Sequence, residues 1–126
     1  MAVDSEANLD RKFIQTMKLL NIYLNHFPSH ERHGLALKIR GAAYDLYDLI
    51  VEAQKRYHKK TTLTNLDIKH EQLRMQVRLA FELGYFGHPK SDKITQEQLN
   101  AKRYLSISVK IDEMGKIIGG WIKSSR

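Results

Sequence analysis

The sequence predicts an all-α fold, an antiparallel up-down four-helix bundle, and three observations lead there. Apolar residues recur at three- and four-residue spacings along four long segments, the two prolines fall between such segments, and no segment carries the alternation of a strand. At 126 residues the chain is large enough to bury one core without disulfides or metals, so a single domain over residues 1–126 is expected.

The first helix, about 8–27, is read from Phe13, Met17, Leu20, Leu24 and Phe27, which fall on one side of a 3.6-residue period. Pro28 breaks it, and Ser29 is the expected N-cap of the next helix, although Arg32 stands where a capping box would have Glu or Gln. The second helix, about 30–58, carries Leu35, Ile39, Ala42, Leu46, Leu49, Ala53 and Tyr57. Its small residues Gly34, Gly41, Ala42 and Ala43 are expected to let a neighbour approach closely. After the polar stretch Lys59 to Thr62, a third stripe of Leu63, Leu66, His70, Leu73, Val77 and Ala80 or Phe81 predicts a helix over about 63–84, ended by Gly84 and Gly87. Thr95 with Gln98 reads as a capping box that opens the last helix, about 95–123.

That last helix has an unusually broad apolar side: Ala101, Tyr104, Leu105, Ile107, Ser108, Ile111, Met114, Ile118, Trp121 and Ile122. One bundle seam needs less, so a second partner surface is expected, with Ile111, Met114, Ile118 and Trp121 assigned to an interface between copies. Gly115 and Gly119 form a G-x-x-x-G pair that predicts tight helix crossing; Asp112, Glu113 and Lys116 nearby exclude a membrane dimer.

Composition narrows the chemistry. The absence of cysteine excludes disulfides, thiolate nucleophiles, zinc–thiolate sites and iron–sulfur clusters. Met1 to Asp10 lacks the apolar core of a signal peptide and no apolar run is long enough to span a bilayer, so the expectation is a cytoplasmic protein with no membrane partner. Lysine and arginine number 21 against 14 acids, a formal charge of +7, which favours polyanionic partners.

Candidate sites are weighed against simpler roles. His26, His30 and His33 are separated by a helix break and no second ligand set completes a coordination shell, so no metal is expected. Asp67-x-x-His70 is a single copy of a motif that di-metal bundles use in pairs, and His70 lies on the apolar stripe, where a hydrogen-bonded interior histidine is expected. Asp45, Asp48 and Glu52 share one helix face and read as solvated, with Glu52 able to pair with Arg56. With no phosphate loop, nucleophile elbow or dinucleotide fingerprint, the chain is expected to have no catalytic residues and no cofactor.

The basic residues group more suggestively: Lys55, Arg56, Lys59 and Lys60; Arg74 and Arg78, one turn apart; and Lys102 with Arg103. All eight are assigned to nucleic-acid binding through the phosphate backbone, a mode that needs no base reading. Glu71–Arg74 and Arg78–Glu82 also fit as ordinary surface pairs. Tyr44, Tyr47, Tyr57 and Tyr85 are candidates for stacking on unpaired bases, although aromatics at these spacings more often fill core positions.

Phe27-Pro28-Ser29-His30-Glu31-Arg32-His33-Gly34-Leu35, followed by Lys38-Ile39-Arg40-Gly41-Ala42-Ala43, resembles the four-helix-bundle family encoded in ribosomal-RNA intervening sequences. The chain departs from it at Ile50-Val51-Glu52-Ala53, where that family continues Asn-Ile-Ala-Glu-Gly. Ile94 to Gln98 and Ile111 to Ile122, with Gly-x-Ile-x-Gly-x-Trp-Ile and the upstream Leu73-Arg74 and Val77-Arg78, look like Avd, the accessory variability determinant of diversity-generating retroelements. The resemblance runs from about Phe13 to Lys123. It implies a homopentameric barrel, encoded by a bacterium, archaeon or phage, that binds the element's reverse transcriptase and nucleic acid (template RNA or cDNA) in mutagenic retrohoming. The polymerase then supplies the catalysis, and Arg74 and Arg78 match a basic pair implicated in binding. The competing expectation is a four-helix protein-interaction module without a nucleic-acid role.

Overall fold

The computed structural model describes the backbone of residues 2–125 and the side chains of residues 8–125. It comprises α1 (Ala2–Asn25), a 3-10 turn (Ser29–Glu31), α2 (Leu35–Lys55), α3 (Lys60–Glu82), a second 3-10 turn (Tyr85–Gly87) and α4 (Gln96–Ser124). All regular structure among the described residues is helical, as expected from the sequence. Each helix packs along the next and α4 closes the ring against α1. The directions alternate: Lys12 of α1 pairs with Glu113 of α4, whereas Arg103, early in α4, lies over Tyr23, late in α1.

The core follows the four predicted stripes except at Tyr57, which was expected on the second stripe but lies beyond the end of α2 at Lys55 and is exposed, because the chain turns there toward α3. Leu20, Leu24, Ile39, Leu46, Ile50, Leu66, Leu73, Val77, Ile107 and Ile111 are all buried, and each such side chain contributes on the order of 1.5–3 kcal/mol through removal from water. Thr95 caps α4 as expected: its Oγ1 accepts from the Gln98 N–H at 3.1 Å, and Gln98 Oε1 accepts from the Thr95 N–H at 3.0 Å. Gly84, in the left-handed region at φ 78°, ends α3 and donates its N–H to the Phe81 carbonyl.

The start of α2 departs from the expectation. Ser29 makes no side-chain cap; it opens a 3-10 turn, and α2 begins at Leu35. Glu31 does the capping instead, because its Oε2 accepts from the Leu35 N–H at 2.7 Å while its Oε1 accepts from the Tyr85 hydroxyl at 2.8 Å. These two donors hold the Glu31 carboxyl below its ordinary pKa. Gly34 leaves the room for this, since a Cβ there would stand 2.4 Å from Glu31 Oε2.

His70 is the interior histidine that its stripe position predicts. It is buried and its Nε2 lies 2.7 Å from the Ile111 carbonyl, an acceptor only, so Nε2 carries the proton. Gly115 makes the room, because a Cβ would stand 2.8 Å from His70 Cε1. The other half of the G-x-x-x-G pair differs: a Cβ on Gly119 meets nothing within 4 Å.

Candidate functional site

The eight cations assigned from sequence do not form one patch. Lys55, Arg56, Lys59 and Lys60 surround the short turn between α2 and α3. Lys60, Arg74 and Arg78 share a face of α3, since fourteen and then four residues are close to whole turns, but Arg74 lies roughly 21 Å along the helix from Lys60. Lys102 and Arg103 open α4 at the opposite end of the bundle.

Their partners differ more than their positions. Arg74 grips Glu71 with two bonds, from Nε to Oε1 at 2.8 Å and from Nη2 to Oε2 at 2.7 Å, and the pair holds the Glu71 carboxyl below its usual range. Arg78 reaches Glu82 at 3.9 Å and Arg56 reaches Glu52 at 3.5 Å, both between exposed side chains that remain free to exchange with water or phosphate. Lys59 donates to the Ala53 carbonyl at 2.7 Å and stands over the Trp121 ring, 5.6 Å from its centre. Arg103 is half-buried and donates through Nη1 to the His88 carbonyl at 2.6 Å, with the Phe86 carbonyl at 3.4 Å, and its guanidinium lies over the Tyr23 ring. Arg103 therefore ties the α3–α4 connection to the bundle. Lys55, Lys60 and Lys102 are exposed and make no ion pair among the described residues.

The four side chains assigned to an oligomer interface are a clear correction. Ile111, Met114, Ile118 and Trp121 are each 0 % exposed in the isolated chain, so they have no surface left to offer a second copy. Their spacing of three, four and three puts them on the single stripe that faces α1 and α3. The apolar surface left to a partner lies elsewhere. Ile68, Met75, Leu79 and Leu83 form an exposed stripe on the outer side of α3, and Leu105 and Val109 stand one turn apart outside α4. A second apolar feature is a groove of about 520 Å³ between α1 and α2, floored by Phe13, Met17 and Tyr47 and edged by Ile14 and Tyr44. The signal for these surfaces was in the sequence: on α3 they fall opposite the Leu66, Leu73 and Val77 stripe.

The tyrosine candidates divide as well. Tyr47 stacks on Phe13 at 4.9 Å and Tyr85 bonds Glu31, whereas Tyr44 and Tyr57 are exposed. Asp45 pairs with Lys69 across α2 and α3 at 3.7 Å.

A family model described as bAvd-like matches residues 8–125, nearly the whole chain. The chain belongs to the bAvd-like family. No curated protein and no solved structure matches it. The match takes in residues 8–125, so in this bAvd-like chain the face of α3 that carries Lys60, Arg74 and Arg78, the α2–α3 turn and the exposed apolar stripe all lie in the family-matched region. No helix among the described residues is long and apolar enough to cross a membrane.

Proposed function

We propose that this bAvd-like chain is a non-catalytic accessory protein of a diversity-generating retroelement, which binds the element's reverse transcriptase and nucleic acid, either template RNA or cDNA, in support of mutagenic retrohoming. The observation that carries the reading is the family match over residues 8–125. The geometry supports it with two surfaces that a chain acting alone would not need. Cations on α3 and at the α2–α3 turn serve the polyanion, and the apolar stripe Ile68, Met75, Leu79 and Leu83 serves protein contact. In this reading the chain is a homo-oligomer, a pentamer, whose copies meet through the exposed stripes of α3 and α4, with Ile111, Met114, Ile118 and Trp121 holding each protomer's own core.

Sizing with light scattering, with and without a structured RNA and the polymerase, tests it. A pentamer that takes up RNA at low salt and co-elutes with the polymerase is the expected result, and Arg74→Ala/Arg78→Ala should reduce the salt slope of RNA binding by about 2. A monomer indifferent to both overturns the proposal.

One observation favours a second reading. Arg74 is neutralised by Glu71 within its own helix, and Arg78 lies near Glu82. A protein-interaction module without nucleic acid would leave them so, and its partner binding would be insensitive to salt.

A further inference from the structure

At the α2–α3 turn, exposed rings and exposed cations coincide. Residues 55–60 read Lys-Arg-Tyr-His-Lys-Lys, and only four residues separate the last of α2 from the first of α3. A ring at this turn has little chance of burial. Tyr57 is 91 % exposed, far beyond any other large apolar or aromatic side chain among the described residues, and its ring stands perpendicular to that of His58 with centroids 4.8 Å apart. Beside the rings lies a shallow hollow of about 370 Å³ lined by Tyr57, His58, Lys59, Lys60 and Ser125.

The turn is also held in place from beneath. Lys59 fastens it to the bundle, since its ammonium satisfies the Ala53 carbonyl in the last turn of α2 and covers the buried Trp121 ring. Lys55 and Lys60, on either side, are exposed and make no ion pair among the described residues, and Arg56 touches Glu52 only at 3.5 Å. An exposed aromatic ring among cations, on a turn tethered to the bundle through Lys59, is an arrangement suited to single strands: the cations track phosphates and the ring stacks on an unpaired base. A duplex offers phosphates but keeps its bases stacked on one another. It can use the cations and not the ring.

We infer that the α2–α3 turn binds single-stranded nucleic acid, with Tyr57 stacking on an unpaired base beside the perpendicular His58 ring, and Lys55, Arg56 and Lys60 holding the flanking phosphates. This rests on the nucleic-acid reading above and goes beyond it, because that reading asks only for phosphate contacts. The turn selects strand state; Arg74 and Arg78 do not.

Fluorescence anisotropy of the full chain with an oligouridylate, an oligothymidylate of equal length and a blunt RNA duplex tests the inference. Tyr57→Ala should weaken both single strands about tenfold and leave the duplex unchanged, while Tyr57→Trp keeps or tightens single-strand binding. Loss on only one of the two single strands identifies that polynucleotide as the ligand and upholds the site. Lys55→Gln/Lys60→Gln should weaken single strands and duplex alike and lower the single-strand salt slope by about 1.4. Wild-type binding to the duplex with single-strand affinity unmoved by Tyr57→Ala overturns the inference and leaves the proposed function standing. No binding of any polynucleotide by the wild type overturns both. Because Tyr57 is 91 % exposed, the folded state of Tyr57→Ala is not in question.

Discussion

The two ends of the bundle are built from the same residue types and use them in opposite ways. At the end where α3 turns into α4, rings and cations are spent on architecture. Phe86 is buried against Tyr23, Phe27 and Tyr104, Asn100 bridges the Phe81 carbonyl and the Phe86 N–H, and Arg103 caps the His88 carbonyl. At the α2–α3 end, Tyr57, Lys55 and Lys60 face solvent, Arg56 meets Glu52 at the surface, and Lys59 is tied to the bundle. Length is the cause. The connection from Leu83 to Thr95 carries many backbone groups that need donors and acceptors, whereas the four-residue turn between Lys55 and Lys60 carries few. A long loop recruits its cations inward, and a tight turn leaves them available to a ligand.

The largest test of that contrast compares two aromatic deletions. Phe86→Ala should cost about 3–5 kcal/mol, read as a fall in the urea midpoint, because it empties a ring-lined core position. Tyr57→Ala should stay within about 0.5 kcal/mol of wild type, since the side chain is almost wholly exposed. Comparable losses at both positions would break the contrast.

A smaller effect separates the cations. Arg103→Ala should cost about 1 kcal/mol through the donor lost to the His88 carbonyl, and leave the salt slope of nucleic-acid binding unchanged. Lys55→Ala/Lys60→Ala should do the reverse, lowering the slope while the urea midpoint stays put. If Arg103→Ala shifts the slope as much as the lysine pair does, both ends bind and the division of labour is wrong.

Much of this was legible in the chain itself. Four apolar stripes, the break at Pro28, the end of α3 at Gly84, the capping box at Thr95 and the interior position of His70 follow from spacing and local chemistry alone. What was not legible depended on distant partners. The second bond of the Glu31 carboxylate comes from Tyr85, 54 residues away, and the commitment of Arg103 needs carbonyls that only the folded loop brings near. The breadth of the apolar side of α4 misled for a different reason. Ile111, Met114, Ile118 and Trp121 lie on one stripe with Ile107, and Leu105 and Val109 point the other way, so the width came from two faces and the inner one belongs to the protomer. Position along a helix says which residues share a face; it does not say whether the neighbour is the same chain.

The finest distinction between the two ends is their response to acid. Glu31 sits at the braced end, and its carboxyl is held below the ordinary value by the Leu35 N–H first and the Tyr85 hydroxyl second. A carboxyl whose folded pKa is depressed adds stability that is complete above the unfolded pKa and is lost as pH falls through the folded one. Tyr85, whose pKa is raised chiefly by the same bond, adds stability below its ordinary range that is lost as pH rises beyond it. The clasp between the two 3-10 turns is therefore strongest near neutrality. Urea midpoints measured from neutral pH downward should fall less steeply for Glu31→Gln than for wild type, with the residual slope left to Glu71 and Glu113, whose carboxyls are also depressed by Arg74 and Lys12. Hydrogen exchange gives the same comparison residue by residue: the Leu35 amide, whose acceptor is weakened when Glu31 is protonated and loses its charge, should lose protection in acid before the amides of α3 beside the α2–α3 turn. Equal loss at both ends would mean that acid acts on the bundle as a whole and that the Glu31 clasp does not brace its own end.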